Sequence, residues 1–122
     1  MNSVLIVDNS RTMKGIADET FTELNIPCHF LEADSGKTAL EELESNRVSL
    51  ILLNWNMAGM NGIEFLKRVR AMPVHREMPI IMITSETPKY NMVEALQNGA
   101  TDIMVKPFTK KDLIEKISGA LF

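Results

Sequence analysis

Five short apolar runs punctuate this chain at 3–7, 28–33, 48–53, 79–84 and 101–105, and the segments between them carry apolar residues at helical spacing. That alternation restricts the fold more than any other feature. A strand covered on both faces reads as a nearly continuous apolar run, and parallel neighbours need a helical crossover between them. Met13, Ile16, Ala17, Phe21 and Leu24 mark one face of a first helix, and Leu40 with Leu43 one face of a second. Leu66 and Val69, then Met92 and Leu96, then Leu113, Ile117 and Leu121 supply three more stripes. Ser10, Ser35 and Thr109 are suited to cap helix N-termini, Asp112 completes a capping box with Thr109, and Gly99 is placed to end the fourth helix. The pattern predicts an α/β fold: five βα units forming a doubly wound, five-stranded parallel sheet. These units use all 122 residues, so a single domain over 1–122 is expected, with no separate output domain.

Composition removes several function classes. Thirteen Lys plus Arg against sixteen Asp plus Glu give a net charge of -3, and no stretch gathers the cations needed to follow a phosphate backbone, so no nucleic-acid partner is expected. One cysteine, Cys28, has no internal disulfide partner and sits in an apolar setting that predicts a buried, reduced thiol. No apolar run reaches the ~18 residues of a membrane span, and signal-peptide flanks are absent, so a cytoplasmic, monomeric protein away from membranes is expected. The nine methionines read mainly as gap-filling core residues.

In an open parallel sheet the functional residues collect beyond the carboxyl ends of the strands. Here those positions hold Asp8 and Asn9 after the first strand, Asn54 after the third, Thr84 and Ser85 after the fourth, and Lys106-Pro107 after the fifth. The loop Asp8-Asn9-Ser10-Arg11-Thr12 has no glycine-rich turn to cradle a phosphate, which argues against a nucleotide binder. His29 and His75 stand apart from each other and from any Cys or Asp cluster at metal spacing, and neither lies at the carboxyl end of a strand beside a Ser or Cys, so neither hydrolase chemistry nor a metal cluster is suggested. No enzymatic activity is expected.

Four segments in order, VLIVDNS, LLNWNMAGMNG, IIMITSE and VKPF, resemble the landmarks of response regulator receiver domains of the CheY-like, single-domain type. The resemblance implies the flavodoxin-like strand order 2-1-3-4-5 and a role in two-component, phosphorelay signalling such as chemotaxis. In that family an aspartate at the end of the third strand accepts a phosphoryl group from a histidine kinase. Two acids after the first strand, that aspartate and a backbone carbonyl two residues further on hold Mg²⁺. A threonine and a lysine contact the phosphoryl oxygens, and the Lys-Pro bond is cis.

Carried onto this chain, the acceptor position is Asn54, the metal positions are Asp8, Asn9 and the carbonyl of Asn56, and the phosphate-contacting positions are Thr84, Ser85 and Lys106. An amide is a very poor nucleophile, so phosphorylation at Asn54 is not expected. Replacing two of three carboxylates by amides should leave Mg²⁺ binding weak or absent. Lys106 is expected to pair with Asp8, in a pocket that could attract a free anion. Ile103 stands where relatives carry a switching aromatic, and its stiff, branched side chain implies a muted relay. Ala58 replaces a common loop proline. Two origins of Asn54 are open: natural divergence, which Asn9 and Ile103 favour, or an aspartate deliberately changed in an ordinary phosphorylated receiver. Either way the resemblance implies protein partners, such as a histidine kinase, a flagellar switch component or another signalling protein, on the face of the fourth helix, fifth strand and fifth helix. Tyr90, Glu94, Gln97, Ile103, Lys110 and Lys111 are the candidates there, and Trp55 is expected to be half exposed beside the site.

Overall fold

A computed structural model of the protein describes residues 2–8, 12–55, 59–84 and 89–121. Five strands, β1 (Asn2–Val7), β2 (Cys28–Ala33), β3 (Leu50–Asn54), β4 (Ile80–Thr84) and β5 (Asp102–Val105), alternate with helices α1 (Thr12–Glu23), α2 (Gly36–Ser45), α3 (Gly62–Ala71), α4 (Lys89–Gln97) and α5 (Lys110–Leu121). All pairings are parallel and the sheet order is β2-β1-β3-β4-β5. This is the doubly wound order that CheY shares with flavodoxin. The strands begin and end within two residues of the apolar runs. A single 3₁₀ turn at Pro73–His75 was not legible in the helical periodicity.

The alternation of side chains along each strand divides the interior into two cores. Leu5, Val7, Ile51, Leu53, Ile80, Met82 and Ile103 face α2, α3 and α4, where Ala39, Leu43, Phe65, Leu66, Val69 and Ala95 meet them. Val4, Ile6, Leu50, Leu52, Ile81, Ile83 and Met104 face α1 and α5, against Met13, Ala17, Phe21, Leu113 and Ile117. Each such side chain withdrawn from water contributes about 1.5–3 kcal/mol, so the middle strands, buried on both faces, dominate the stability. Thr20 is fully buried, and its hydroxyl donates to the Ile16 carbonyl at 2.7 Å, which satisfies it within its own helix. Leu96 departs from the expected stripe on α4. It is 51% exposed, because the small Ala95 takes the inward position instead. Cys28 is half-buried at the start of β2 rather than buried, and burial is the main cause raising its thiol above the ordinary value.

The helix ends follow local chemistry. Ser35 accepts the Thr38 N–H, and Thr109 and Asp112 exchange backbone N–H bonds at 2.9 and 3.1 Å, the capping box expected from their spacing; Ser10 lies outside the described residues. Asn61, whose signal the sequence reading did not use, caps α3 by accepting from the Glu64 N–H at 2.9 Å. Helix α4 ends in a Schellman motif, with Gly99 N–H donating to the Leu96 carbonyl and Ala100 N–H to the Ala95 carbonyl, around Gly99 at φ +105°. Asn25, at φ 57°, closes α1 in the same way. The Arg70 guanidinium locks the Gly99 turn: its Nε donates to the Gly99 carbonyl at 2.9 Å and its Nη1 to the His75 carbonyl at 2.7 Å.

A β-carbon at Gly99 would lie 2.9 Å from Arg70 Cγ on a backbone that disfavours L side chains, whereas one at Gly15, inside α1, meets nothing within 4 Å. Gly99→Ala should therefore lower unfolding free energy by about 1–3 kcal/mol, and Gly15→Ala should raise it by about 0.5–1 kcal/mol, both read from urea midpoints. The Thr109 backbone N–H holds the Asp112 carboxyl below its ordinary value of 3.8. Its contribution is thus complete above that value and lost as pH falls through the depressed one. The melting temperature of the protein should exceed that of Asp112→Asn at neutral pH, and the two should converge in acid.

Candidate functional site

Parallel pairing brings the polar residues at the carboxyl ends into a small area. Val7 pairs with Leu53, Asn54 with Ile83, and Thr84 with Val105, so the first polar residue beyond or at each of these strand ends falls close to the next. The pairing continues past the strands. Asp8 N–H donates to the Ala33 carbonyl at 2.9 Å, Trp55 N–H to the Ile83 carbonyl at 2.9 Å, and Lys106 N–H to the Thr84 carbonyl at 2.7 Å. Backbone hydrogen bonds thereby position the site residues as firmly as the strands themselves.

The Asp8 side chain is only 3% exposed, and Lys106 Nζ lies 3.9 Å from its Oδ2. Strands β1 and β5 are three places apart in the sheet, a span of about 14 Å at ~4.8 Å per strand, so the two side chains reach toward each other across the carboxyl ends of the strands between them. The 3.9 Å separation is a charge contact rather than a hydrogen bond. Asn54, half-buried, ends β3, which lies between β1 and β4 in the sheet. By strand alternation Asp8, Asn54 and Lys106 share the α1/α5 side of the sheet, while Thr84, 1% exposed, shares the side of Met82 and Ile103. The Lys106-Pro107 peptide is cis, as the family resemblance implied.

Close packing shapes the loop beside Asn54. The Gly62 N–H donates to the Trp55 carbonyl at 2.9 Å, and a β-carbon at Gly62 would lie 3.0 Å from Trp55 Cα and 3.2 Å from the Asn54 carbonyl oxygen. Only glycine lets the first turn of α3 approach this closely. Met60 seats over Gly36 at the start of α2, and Trp55 is half-buried against the same core. Gly62 was not singled out from sequence, although Asn61-Gly62 before an apolar stripe is a helix-start signal. On the other side, Asp8, Thr12, Lys106, Met13, Ile16 and Phe108 border an open hollow of about 570 Å³, whose apolar wall was also missed.

Of the remaining expected residues, Asn9, Asn56 and Ser85, together with Met57 and Ala58, lie outside the described residues, as does the side chain of Tyr90. Glu94, Gln97 and Lys111 are exposed on α4 and α5. Two expectations for the partner face need correcting. Ile103 is 6% exposed, because its position on β5 turns it into the core with Ala95 and Ala100. Lys110 turns to the opposite edge of α5, where Nζ meets Glu23 Oε1 of α1 at 2.9 Å, a hydrogen bond that raises its pKa. Val93 and Leu96, each 51% exposed, provide the apolar surface on α4 that the sequence reading had not assigned to this face. Among the described residues no three His, Cys, Asp or Glu side chains are grouped to hold a metal ion, and no helix is long and apolar enough to cross a membrane.

The chain has many relatives in sequence and in fold. It is 41% identical over 119 residues to a chemotaxis protein CheY homolog of Campylobacter jejuni, covering 97% of this chain and 91% of that one. It is 41% identical over 119 residues to chemotaxis protein CheY1 of Helicobacter pylori, covering 97% and 95%. Among solved structures, the chemotaxis response regulator CheY4 of Vibrio cholerae superposes with a TM-score of 0.85 at 30% identity, over 99% of both chains. The family model of the response regulator receiver domain matches residues 4–118. The chain therefore belongs to the response regulator receiver domain family, as a CheY-like member of two-component signalling.

Proposed function

We propose that this receiver domain signals without phosphorylation at Asn54, acting as a protein-binding module whose surface does not await a covalent switch. The observation that carries this reading is the amide of Asn54 at the carboxyl end of β3, on the same side of the sheet as Asp8 and Lys106. In the family that position supplies the nucleophile, and an uncharged carboxamide supplies none. The donor set also fits Mg²⁺ poorly. Asp8 is a single carboxylate facing an ammonium 3.9 Å away, and the sequence offers amides at positions 9 and 54 where the family has acids. Magnesium keeps its water unless hard, charged oxygens are arranged near-octahedrally, so its binding here is weak or absent. No reaction is assigned to the chain; the reading is of a non-enzymatic, monomeric domain working in the cytoplasm.

The face for protein partners is built from α4, β5 and α5, with Val93 and Leu96 as apolar anchors and Glu94, Gln97 and Lys111 around them. Anchors of this kind ringed by polar residues suit a modest, specific protein contact. A histidine kinase, a flagellar switch component or another chemotaxis protein are the partner classes in keeping with the CheY homologs. A second reading, an ordinary receiver with a deliberately exchanged acceptor, draws on the presence of Thr84 and Lys106 at the family's phosphate-contacting positions.

Incubation of the protein and of Asn54→Asp with Mg²⁺ and acetyl phosphate, read by intact mass and by Trp55 fluorescence during metal titration, separates the two. We expect no phosphoryl mass on the protein and, because Asn9 also lacks a charge, little on the variant. A phosphoryl group on the unaltered protein would overturn the proposal. Ready phosphorylation of Asn54→Asp alone would favour the second reading.

A further inference from the structure

At the opposite end of the sheet, before β3 and β4 begin, residues of α2 and α3 and of the segments that follow them line a groove of about 780 Å³. Its floor is apolar, formed by Leu40, Leu43, Val48, Met72 and Met78, and Val74 stands on its rim at 82% exposure. Val74 is the most exposed large hydrophobic among the described residues, in a 3₁₀ turn where a polar residue would serve as well. The wall carrying it is fixed in place, since Arg70 Nη1 holds the His75 carbonyl at 2.7 Å. The groove is thus formed before any partner arrives, which spares the cost of ordering it.

The charges on the rim decide what fits. Arg47, in the connection from α2 to β3, and Arg68, in the last turn of α3, line the groove, and Glu44 is the lone acid among the lining residues. Among the described residues neither arginine has an ion-pair or hydrogen-bond partner for its side chain. Arg68 is explained in part by the negative end of its helix. Arg47 is exposed outside any helix and has no such explanation. A guanidinium is a planar fork suited to carboxylates, and two of them flanking an apolar trough form a pattern for carboxylates flanking apolar anchors.

We propose that the α2–α3 groove binds an acidic amphipathic segment of a protein partner, with apolar side chains beside Val74 and carboxylates on Arg47 and Arg68. Val48 lies two residues before β3 begins and Asn54 ends it, with about 13 Å of strand between Leu50 and Asn54 at ~3.3 Å per residue, so this surface is separate from the strand-end site and does not depend on the chemistry at Asn54. Such a segment would lie as a helix in the groove, read through anchors at i, i+3 or i+4.

The probes are two labelled peptides of about 16 residues, long enough to form helix, with leucines at helical spacing and either glutamates or lysines at every other position. Fluorescence anisotropy should show the Glu peptide binding and the Lys peptide failing to bind, with affinity falling as salt rises. Amide chemical shifts should move at Leu43, Val48 and Val74 and not on α4. The double variant Arg47→Glu/Arg68→Glu should weaken the Glu peptide about tenfold or more and admit the Lys peptide, while Val74→Ser should weaken the Glu peptide without altering the charge preference. Both variants change exposed side chains, and unchanged melting curves establish that they fold. No binding of the Glu peptide, equal binding of both peptides, or shifts confined to α4 would overturn the proposal. Sedimentation showing a dimer that Val74→Ser dissolves would overturn it too, by making a second copy of this chain the occupant.

Discussion

Burial of β1, β3 and β4 on both faces is the constraint from which the rest of the structure follows. A strand covered on two sides has no solvent face on which to place a polar side chain, and an unpaired polar group in that interior would cost several kcal/mol. Polar chemistry is therefore displaced to the ends. Asp8, Asn54 and Thr84 are the first polar side chains at or after the carboxyl ends of three adjacent strands, and parallel register brings them together. The site is a consequence of how the core is built, and only the identity of each end residue is left for function to choose.

That choice sets the electrostatics of the pocket. With an aspartate at position 54 two carboxylates would face one lysine, an excess of negative charge that calls for a cation. With Asn54 the Asp8 carboxylate and the Lys106 ammonium balance, 3.9 Å apart, and the amide contributes only dipoles. On the proposed reading one residue accounts for both the weak metal binding and the missing covalent chemistry, because the family resemblance implies that the nucleophile is also a metal ligand. The cis Lys106-Pro107 peptide and the Lys106 N–H bond to the Thr84 carbonyl persist around this altered centre, since both belong to the backbone frame of the sheet.

The sheet was legible because its signal is compositional: Leu50 to Leu53 could be little other than a doubly buried strand. The capping box at Thr109 was legible because both partners lie within one helical turn. Legibility fell where orientation depends on neighbours distant in sequence. Leu96 fits a helical stripe with Met92, but Ala95 makes the closer contact beneath α4 and turns Leu96 outward. Lys110 sits on α5, yet the acid that captures it is 87 residues earlier on α1. Ile103 follows β5 alternation into the core, and the family analogy had placed it at the surface. The groove between α2 and α3 was invisible for the same reason, since its lining residues come from segments that meet only in the folded chain.

Arg70 joins two turns at the amino ends of β4 and β5, holding the groove wall at His75 and the end of α4 at Gly99 with one guanidinium. A link of this kind conveys position, but coupling between surfaces requires an element with two arrangements of similar energy. In relatives the rotating aromatic provides such an element. Here Ile103 fills that place with a side chain stiff about χ1 and packed among Ala95 and Ala100, so no swinging ring is available to report on Thr84. On the reading proposed above, a domain with an uncharged strand-end amide and a buried isoleucine on β5 would not convert phosphate into motion, and its surfaces would act without that regulation. Selection on such a chain would then act on the standing affinity of its faces, and the exposed Val74, Val93 and Leu96 are the side chains where that affinity would be set.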